Sequence, residues 1–275
     1  MIDPENTAEM ARLIEQDSLF NKNMGGLFPS GLDLSTVRTV LDVACGPGGW
    51  ALEVAFAHQD MSVVGIDISK GMINYALIRA STQQRDNAQF LVMDATQPLE
   101  FEQASFDFVN TRLVEGFLKA EQWSEFMKEI TRVCRREGYI RMTETINVET
   151  NSSAFACILD LFQEAWRRDG RPINVESKQG GAGERLPQLL TEAGCRVLGT
   201  KKYLLDWSWD NQGNYSLYRN FLIGFTLMKP FAVQKTKVIN EAEYDKLLQQ
   251  IETDMYQSDF KGVWNYQSAW GQKNA

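Results

Sequence analysis

Four short stretches put acids or glycines where a bound small molecule would need them. Leu41-Asp42-Val43-Ala44-Cys45-Gly46-Pro47-Gly48 reads as an apolar strand that stops at a glycine-rich turn. A helix starts at once with Trp50-Ala51-Leu52-Glu53-Val54-Ala55. Glycines carry no Cβ, so the N–H groups of such a turn and the helix N-terminus behind it can come close to a ligand. The pattern Gly46-x-Gly48-x-x-Ala51 also fits a dinucleotide fingerprint, with Asp67 about 20 residues on, where that fold keeps its ribose acid. Asp42 lies inside the first strand, where a nicotinamide fold has apolar residues, and a carboxylate there suits a ligand with a cationic end. Asp67 closes Val63-Val64-Gly65-Ile66-Asp67 and offers a bidentate acceptor for ribose hydroxyls. Asp94 closes Phe90-Leu91-Val92-Met93-Asp94 and suits an adenine amino group. A fourth strand, Phe106-Asp107-Phe108-Val109, ends in Asn110 and Thr111.

These residues need a scaffold that brings strand ends together. Residues 37–145 alternate in pattern: strand 37–43, helix 50–59, strand 62–66, helix 70–82, strands 89–93 and 106–110, helix 121–135, strand 138–144. Alternating strands and helices imply a parallel sheet with helices on both faces, and ligands in such sheets bind beyond the strands' carboxyl ends. Asp42, Asp67, Asp94, Asn110 and Glu144 all fall at or near those ends. A helix over 5–20 precedes the core, and Gly25-Gly26-Leu27-Phe28-Pro29-Ser30 links the two. Beyond 145 the expected order is helix 152–168, a loop at Gly180–Gly183, helix 184–193, strand 195–205, helices 214–229 and 241–256, and a last strand within 260–273.

Leu41-Asp42-Val43-Ala44-Cys45-Gly46-Pro47-Gly48, Gly65-Ile66-Asp67-Ile68-Ser69, Met93-Asp94-Ala95, Ser105-Phe106-Asp107-Phe108-Val109 and Arg132-Val133-Cys134-Arg135-Arg136-Glu137-Gly138-Tyr139 follow one another in a telling order. In that order and spacing the chain resembles the class I S-adenosylmethionine-dependent methyltransferases, small-molecule type, similar to the quinone-biosynthesis enzymes. Arg136-Glu137-Gly138 replaces the family's usual Pro-Gly-Gly turn but keeps one glycine. The resemblance implies a Rossmann-like α/β fold: a seven-stranded, mostly parallel sheet with the last strand antiparallel, helices on both faces and helical lid insertions. It implies one methyltransferase domain over 1–275. Residues 1–34 would form a helical cap, 35–150 the cofactor core, and 151–275 a substrate-side half with a helical insertion at about 206–258.

The resemblance also implies S-adenosyl-L-methionine as cofactor and assigns roles to this chain's residues. Backbone groups of Ala44, Cys45, Gly46, Pro47 and Gly48 would cradle the methionine part, with Asp42 acting through water or on the ammonium. Asp67 would take the ribose hydroxyls, Ile68 and Met72 would sandwich adenine, and Asp94 with the Ala95 amide would read its edge. Asn110 and Thr111 would contact the ammonium. In similar enzymes the amino-terminal helix covers the cofactor, which would bring Gln16 near its carboxylate; plain packing explains that helix as well.

The expected reaction is methyl transfer to a small, largely apolar or aromatic molecule, with oxygen favoured as acceptor and nitrogen or carbon left open. Glu115 and Glu144 are the candidate bases; a carboxylate serves only if burial raises its pKa. His58, the single histidine, falls in the last turn of its helix, away from the strand ends. Arg112 could orient an acidic substrate or the cofactor carboxylate. Trp207 and Trp209, near the end of the sixth strand, are candidate substrate walls, and Trp264 and the aromatics of helix 214–229 are either further walls or plain core. Two readings compete. A nicotinamide-dependent reductase would need a proton donor such as Tyr-x-x-x-Lys, and position 79 after Tyr75 is Arg and position 207 after Tyr203 is Trp. A non-catalytic partner subunit would not need acids at 42, 67 and 94.

Composition bounds the rest. A net charge of −8 over 275 residues argues against a nucleic-acid backbone as partner. Arg132/Arg135/Arg136 and Arg167/Arg168/Arg171 read as solvated helix ends, favoured by the helix dipole. Cys45, Cys134, Cys157 and Cys195 are scattered, with no zinc spacing, so no metal is expected and a reducing, cytoplasmic setting is. Apolar runs fall short of a membrane span, and no cationic-then-apolar leader is seen. The exposed side of the carboxyl-terminal helices could pair subunits as a homodimer.

Overall fold

A computed structural model describes residues 2–171, 181–211 and 214–274; of the loop expected at 180–183, Gly180 lies outside the described residues. Helix α1 (Thr7–Met24) leads into β1 (Thr39–Val43), α2 (Gly49–Ala57), β2 (Ser62–Asp67), α3 (Lys70–Thr82), β3 (Ala88–Val92) and β4 (Phe106–Arg112). Then come α4 (Trp123–Val133), β5 (Cys134–Thr150), α5 (Ser153–Arg168), α6 (Leu186–Glu192) and β6 (Cys195–Asp206). The chain closes with α7 (Asn214–Pro230), α8 (Glu241–Met255) and β7 (Gly262–Lys273). The seven strands lie in the order β3-β2-β1-β4-β5-β7-β6. β7 runs antiparallel to both of its neighbours, and the pairs along β3-β2-β1-β4-β5 are parallel. Among the described residues no helix is long and apolar enough to cross a membrane.

Strand periodicity sorts side chains to two faces. On one face Leu41, Val43, Ile66 and Val109 pack with Phe126 and Ile130 of α4 and Leu186 and Leu190 of α6. On the other, Val40, Val63 and Phe108 meet Trp50, Ala51 and Val54 of α2 and Ile73 and Ala76 of α3. A third cluster joins α1, α5, α7 and α8 through Phe20, Phe155, Ile158, Leu217, Tyr244 and Ile251. It forms a helical cap over one end of the sheet, and burying each such side chain stabilises by about 1.5–3 kcal/mol before entropy is charged.

The end of β1 is held by unusual backbone. Ala44 has φ 57 without being glycine, and Gly48 has φ 75. A Cβ on Gly48 would stand 2.7 Å from the Phe90 ring and 2.9 Å from Ala76, so only glycine lets α2 begin there. Leu113, directly after β4, is a second non-glycine at φ 57. Both Ala44 and Leu113 line the same cavity; local strain of about 1–3 kcal/mol persists where surrounding structure enforces it, commonly beside a working site.

Two elements outrun their sequence signals. β5 extends to Thr150, well past 144, because β7 pairs with it continuously from Tyr139↔Gln272 to Thr150↔Gly262 across one bulge. α1 continues to Met24, where Gly25 at φ 69 ends it in the left-handed conformation.

Candidate active site

A cavity of about 860 Å³ opens beyond the carboxyl ends of β1, β2, β4 and β5 and runs under the helical cap. One half is the glycine-turn crevice. Ala44, Cys45, Gly46 and Pro47 line it, together with Asp67, Ile68, Met72, Asp94 and Ala95. Asp67 clasps the turn: its Oδ2 accepts the Gly46 N–H at 2.9 Å and its Oδ1 the Ser69 N–H at 3.0 Å. Burial raises its pKa above the usual carboxylate range against the opposing hydrogen bonds from Ser69 and Gly46. Each oxygen keeps a further lone pair for a ligand hydroxyl. Asp94 Oδ1 takes the Thr96 N–H and hydroxyl at 2.9 and 2.7 Å, which fixes the turn carrying Ala95. Ile68 is 55% exposed although apolar, because its side chain faces this crevice. Burial pushes the Cys45 thiol well above its ordinary value, so it stays neutral.

Asp42, Asn110, Thr111 and Gly48 belong to the same region but do not line the cavity. Asp42 pairs in register with Asn110, and Asn110 with Arg141, on three adjacent strands. Their side chains form a row beneath the turn: Asn110 Nδ2 donates to Asp42 Oδ1 at 2.7 Å, and Arg141 Nε to Asn110 Oδ1 at 2.7 Å. Arg141 is 1% exposed and stands over the Trp50 ring. Its Nη1 and Trp50 Nε1 both donate to the Leu27 carbonyl, at 2.7 and 2.9 Å, which ties the Gly25–Ser30 loop to the core. Burial lifts Asp42 to about 6, and Arg112 is the largest opposing influence. Burial and the charge of Arg112 bring Arg141 down to about 9. Asp42 Oδ2, Arg141 Nη2 and the Thr111 hydroxyl are buried with no hydrogen-bond partner, a costly arrangement at about 1–3 kcal/mol per group. No motif in the sequence includes Arg141; its one signal is a charge inside the apolar run Tyr139-Ile140-Arg141-Met142.

Helix α1 walls the crevice with Arg12, Leu13, Gln16, Asp17 and Phe20. Arg112, expected to steer an acid, is already engaged: it pairs with Asp17 and donates to Asn21 Oδ1 at 2.7 Å. Asp17's other oxygen lies against Gly49 at the start of α2, where the helix dipole favours a carboxylate. Gln16 Oε1 accepts from Arg12 Nη1 at 2.7 Å, and the same nitrogen reaches Asn220 of α7 at 3.1 Å. The cap helices are thus joined to each other over the crevice.

The second half of the cavity is apolar. Leu159, Phe162 and Trp166 of α5 face Phe221, Phe225 and Met228 of α7, with Phe231 and Trp264 completing the walls. Trp207 and Trp209 lie elsewhere. Trp207 is wholly buried, packed against Phe155, Phe221 and Phe260 with ring centroids 5.1, 4.8 and 4.9 Å away, and Gly262 leaves room for its indole, since a Cβ there would stand 2.5 Å from it. Trp209 is 41% exposed and outside the cavity lining. Both were expected on the substrate wall because they follow a strand end, but beyond edge strand β6 Trp207 turns into the core of the cap and Trp209 to the surface. The aromatic wall comes from α5 and α7 instead.

Where the two halves meet stand Glu115 and Glu144. Glu144 is 1% exposed; its Oε1 accepts the Val114 N–H at 2.7 Å and its Oε2 the Glu115 N–H at 3.4 Å. Glu115 Oε2 accepts the Ala182 N–H at 2.9 Å. Burial raises Glu115 to about 7, against that hydrogen bond. Glu144 is pushed well above its ordinary value by burial first and by Glu115 second. The two titrate as a pair in which Glu144 holds its proton and Glu115 ionises near neutrality. His58 is far from this: it caps α2 and packs edge-on to Phe28 at 5.3 Å. Arg171, read from sequence as a solvated helix end, is 3% exposed and lines the cavity.

Comparison with known proteins agrees with this geometry. Residues 40–138 match the family model described as a methyltransferase domain. Demethylmenaquinone methyltransferase of Lactococcus lactis is 30% identical over 111 residues, 40% of this chain and 43% of the relative, so the chain spans less than half of that protein's length. The YcgJ protein of Bacillus subtilis superposes with a TM-score of 0.57 at 15% identity, over 94% of this chain and 99% of the other. Phosphoethanolamine N-methyltransferase 2 of Haemonchus contortus, solved with S-adenosyl-L-methionine, gives 0.54 at 19% identity over 96% and 57%. Residues 40–138 thus match a methyltransferase domain, and the strand order β3-β2-β1-β4-β5-β7-β6 gives the chain the Rossmann-like fold of these solved structures.

Proposed function

We propose that this protein transfers the methyl group of S-adenosylmethionine to an oxygen of a small, largely apolar or aromatic molecule. The observation that carries the reading is one continuous cavity: the glycine-turn crevice with Asp67 opens into an apolar chamber, and a buried carboxylate pair stands at the junction. The residues fit the cofactor. Asp67 would accept ribose hydroxyls, Ile68 and Met72 would give apolar faces to adenine, and Asp42, whose Oδ2 is unpartnered beneath the turn, would act on the ammonium through water. Bound there, the cofactor supplies an electrophilic methyl on a sulfonium.

The chain's own residues do the rest. The aromatic walls of α5 and α7 hold the acceptor, and the α1–α7 contacts keep water out. Alignment of two reactants in this way contributes on the order of 7–11 kcal/mol in well-oriented systems. Glu115, when ionised, would take the proton of the acceptor hydroxyl; the bound cofactor would supply the methyl, its carbon–sulfur bond breaking to leave S-adenosylhomocysteine. Oxygen is favoured because a hydroxyl must shed that proton and a base with a pKa near neutrality is present. The four free cysteines support a reducing, cytoplasmic setting.

Titration calorimetry tests the cofactor assignment. S-adenosylhomocysteine should bind and NADH should not; binding of NADH instead would support a reductase, and binding of neither a non-catalytic subunit. Asp67→Ala should weaken S-adenosylhomocysteine by about 1–3 kcal/mol, the worth of a charged hydrogen-bond set that loses one partner. Unchanged affinity would remove Asp67 from the ribose.

A further inference from the structure

The deep side of the chamber holds a charge that methyl transfer to a neutral apolar molecule does not need. Arg171 is buried yet lines the cavity, its guanidinium fixed by Nε to Asp169 Oδ2 at 2.7 Å and by Nη1 to the Gly116 carbonyl at 2.9 Å. Asp169 does not neutralise it alone, because its other oxygen carries Lys235 Nζ at 2.7 Å. Among the described residues one carboxylate therefore serves two cations, which gives this corner a net positive charge. Burial raises both Glu115 and Glu144 on the same cavity wall, so neither is a full countercharge to it at neutral pH. The Gly116 carbonyl belongs to the short turn Val114–Gly116 that carries Glu115, so the group that anchors the cation is the base's neighbour in sequence. A buried cation in an apolar chamber is costly unless an anion meets it. A guanidinium also matches a carboxylate better than an ammonium does.

Resting on the methyl-transfer reading, we propose that Arg171 is a specificity residue that selects acceptors bearing an anionic oxygen, a carboxylate, on the same apolar framework as the methylated hydroxyl. The substrate class is then a hydroxy-aryl acid or its enol counterpart: the ring system fills the aromatic chamber, the carboxylate pairs with Arg171, and the neighbouring hydroxyl is presented to Glu115. Arg171 orients the acceptor and exchanges no proton.

A matched pair of probes tests this on the full chain saturated with S-adenosylhomocysteine. 3-Phenylsalicylate and 2-phenylphenol differ only by the carboxylate. Calorimetry should show 3-phenylsalicylate binding at least tenfold more tightly. Arg171→Gln should abolish that preference while leaving 2-phenylphenol and S-adenosylhomocysteine within about twofold of their original affinities. Arg171→Lys should restore part of the preference. Equal affinity of the two probes for the unaltered protein overturns the proposal. So does an equal loss of both probes in Arg171→Gln with S-adenosylhomocysteine still bound, which would make Arg171 a structural support. Loss of S-adenosylhomocysteine binding by the unaltered protein would instead remove the underlying methyl-transfer reading, and this assignment with it.

Discussion

Glu115→Gln should lower kcat by about 10²–10⁴-fold, the range lost when a positioned base is removed, with S-adenosylhomocysteine affinity unchanged. The reason is environment rather than residue type. Glu115 sits at the end of an apolar chamber and accepts one backbone N–H, so burial holds its pKa at about 7. The base works in its ionised form, so kcat/KM of the unaltered enzyme should rise about tenfold per pH unit below that value and level off above it. The glutamine variant should lose this ionisation and give a flat profile through neutrality. Glu144→Gln should cost much less, because Glu144 stays protonated and acts through the backbone of Val114 and Glu115. Rates measured from pH 5.5 to 9, an interval of about two units either side of the base's pKa, decide the matter. Undiminished turnover in both variants would leave catalysis to proximity alone.

Trp207→Ala should destabilise the fold by about 3–5 kcal/mol, the usual cost of truncating a buried aromatic side chain. For a chain of this size that lowers the melting temperature on the order of 10 °C. Trp207 has no exposed surface and touches Phe155, Phe221, Tyr218 and Phe260 rather than the cavity. The fraction that stays folded should therefore keep its KM for an acceptor. Phe225→Ala, on the cavity wall, should raise KM instead. Thermal melts with steady-state kinetics separate the two. A normal melt with a raised KM in Trp207→Ala would return Trp207 to the substrate wall.

That contrast shows what the sequence makes legible. The crevice could be read because its signals are local: a strand, a glycine turn and a helix start lie within about a dozen residues, and an acid that closes a parallel strand must face the ligand edge of the sheet. Ala44, Gly46, Asp67, Ile68 and Asp94 were placed by that logic and line the cavity. Asp42, Asn110 and Thr111 come from the same strand ends but point into the row beneath the turn. Strand proximity does not say which face a side chain takes when its neighbour in register is Arg141. Whether Glu115 and Glu144 would be buried together depended on Gly181–Ala182 packing over them, a contact about 65 residues distant in sequence from Glu115, for which no local signal exists. Arg171 escaped for a similar reason. Its run of arginines carries the pattern of a solvated helix end, and only Asp169, Lys235 and Gly116 together make it a buried cation. The aromatic wall depended on which face α7 turns to the cavity, and α7 buries apolar residues on more than one side.

A crystal structure with S-adenosylhomocysteine bound tests the central claim most directly. The account predicts the nucleoside in the glycine-turn crevice, both ribose hydroxyls on the Asp67 carboxylate, adenine between Ile68 and the Asp94–Ala95 turn, and the sulfur facing the apolar chamber where Glu115 stands. A nucleoside lying elsewhere, or a sulfur turned away from that chamber, would contradict it.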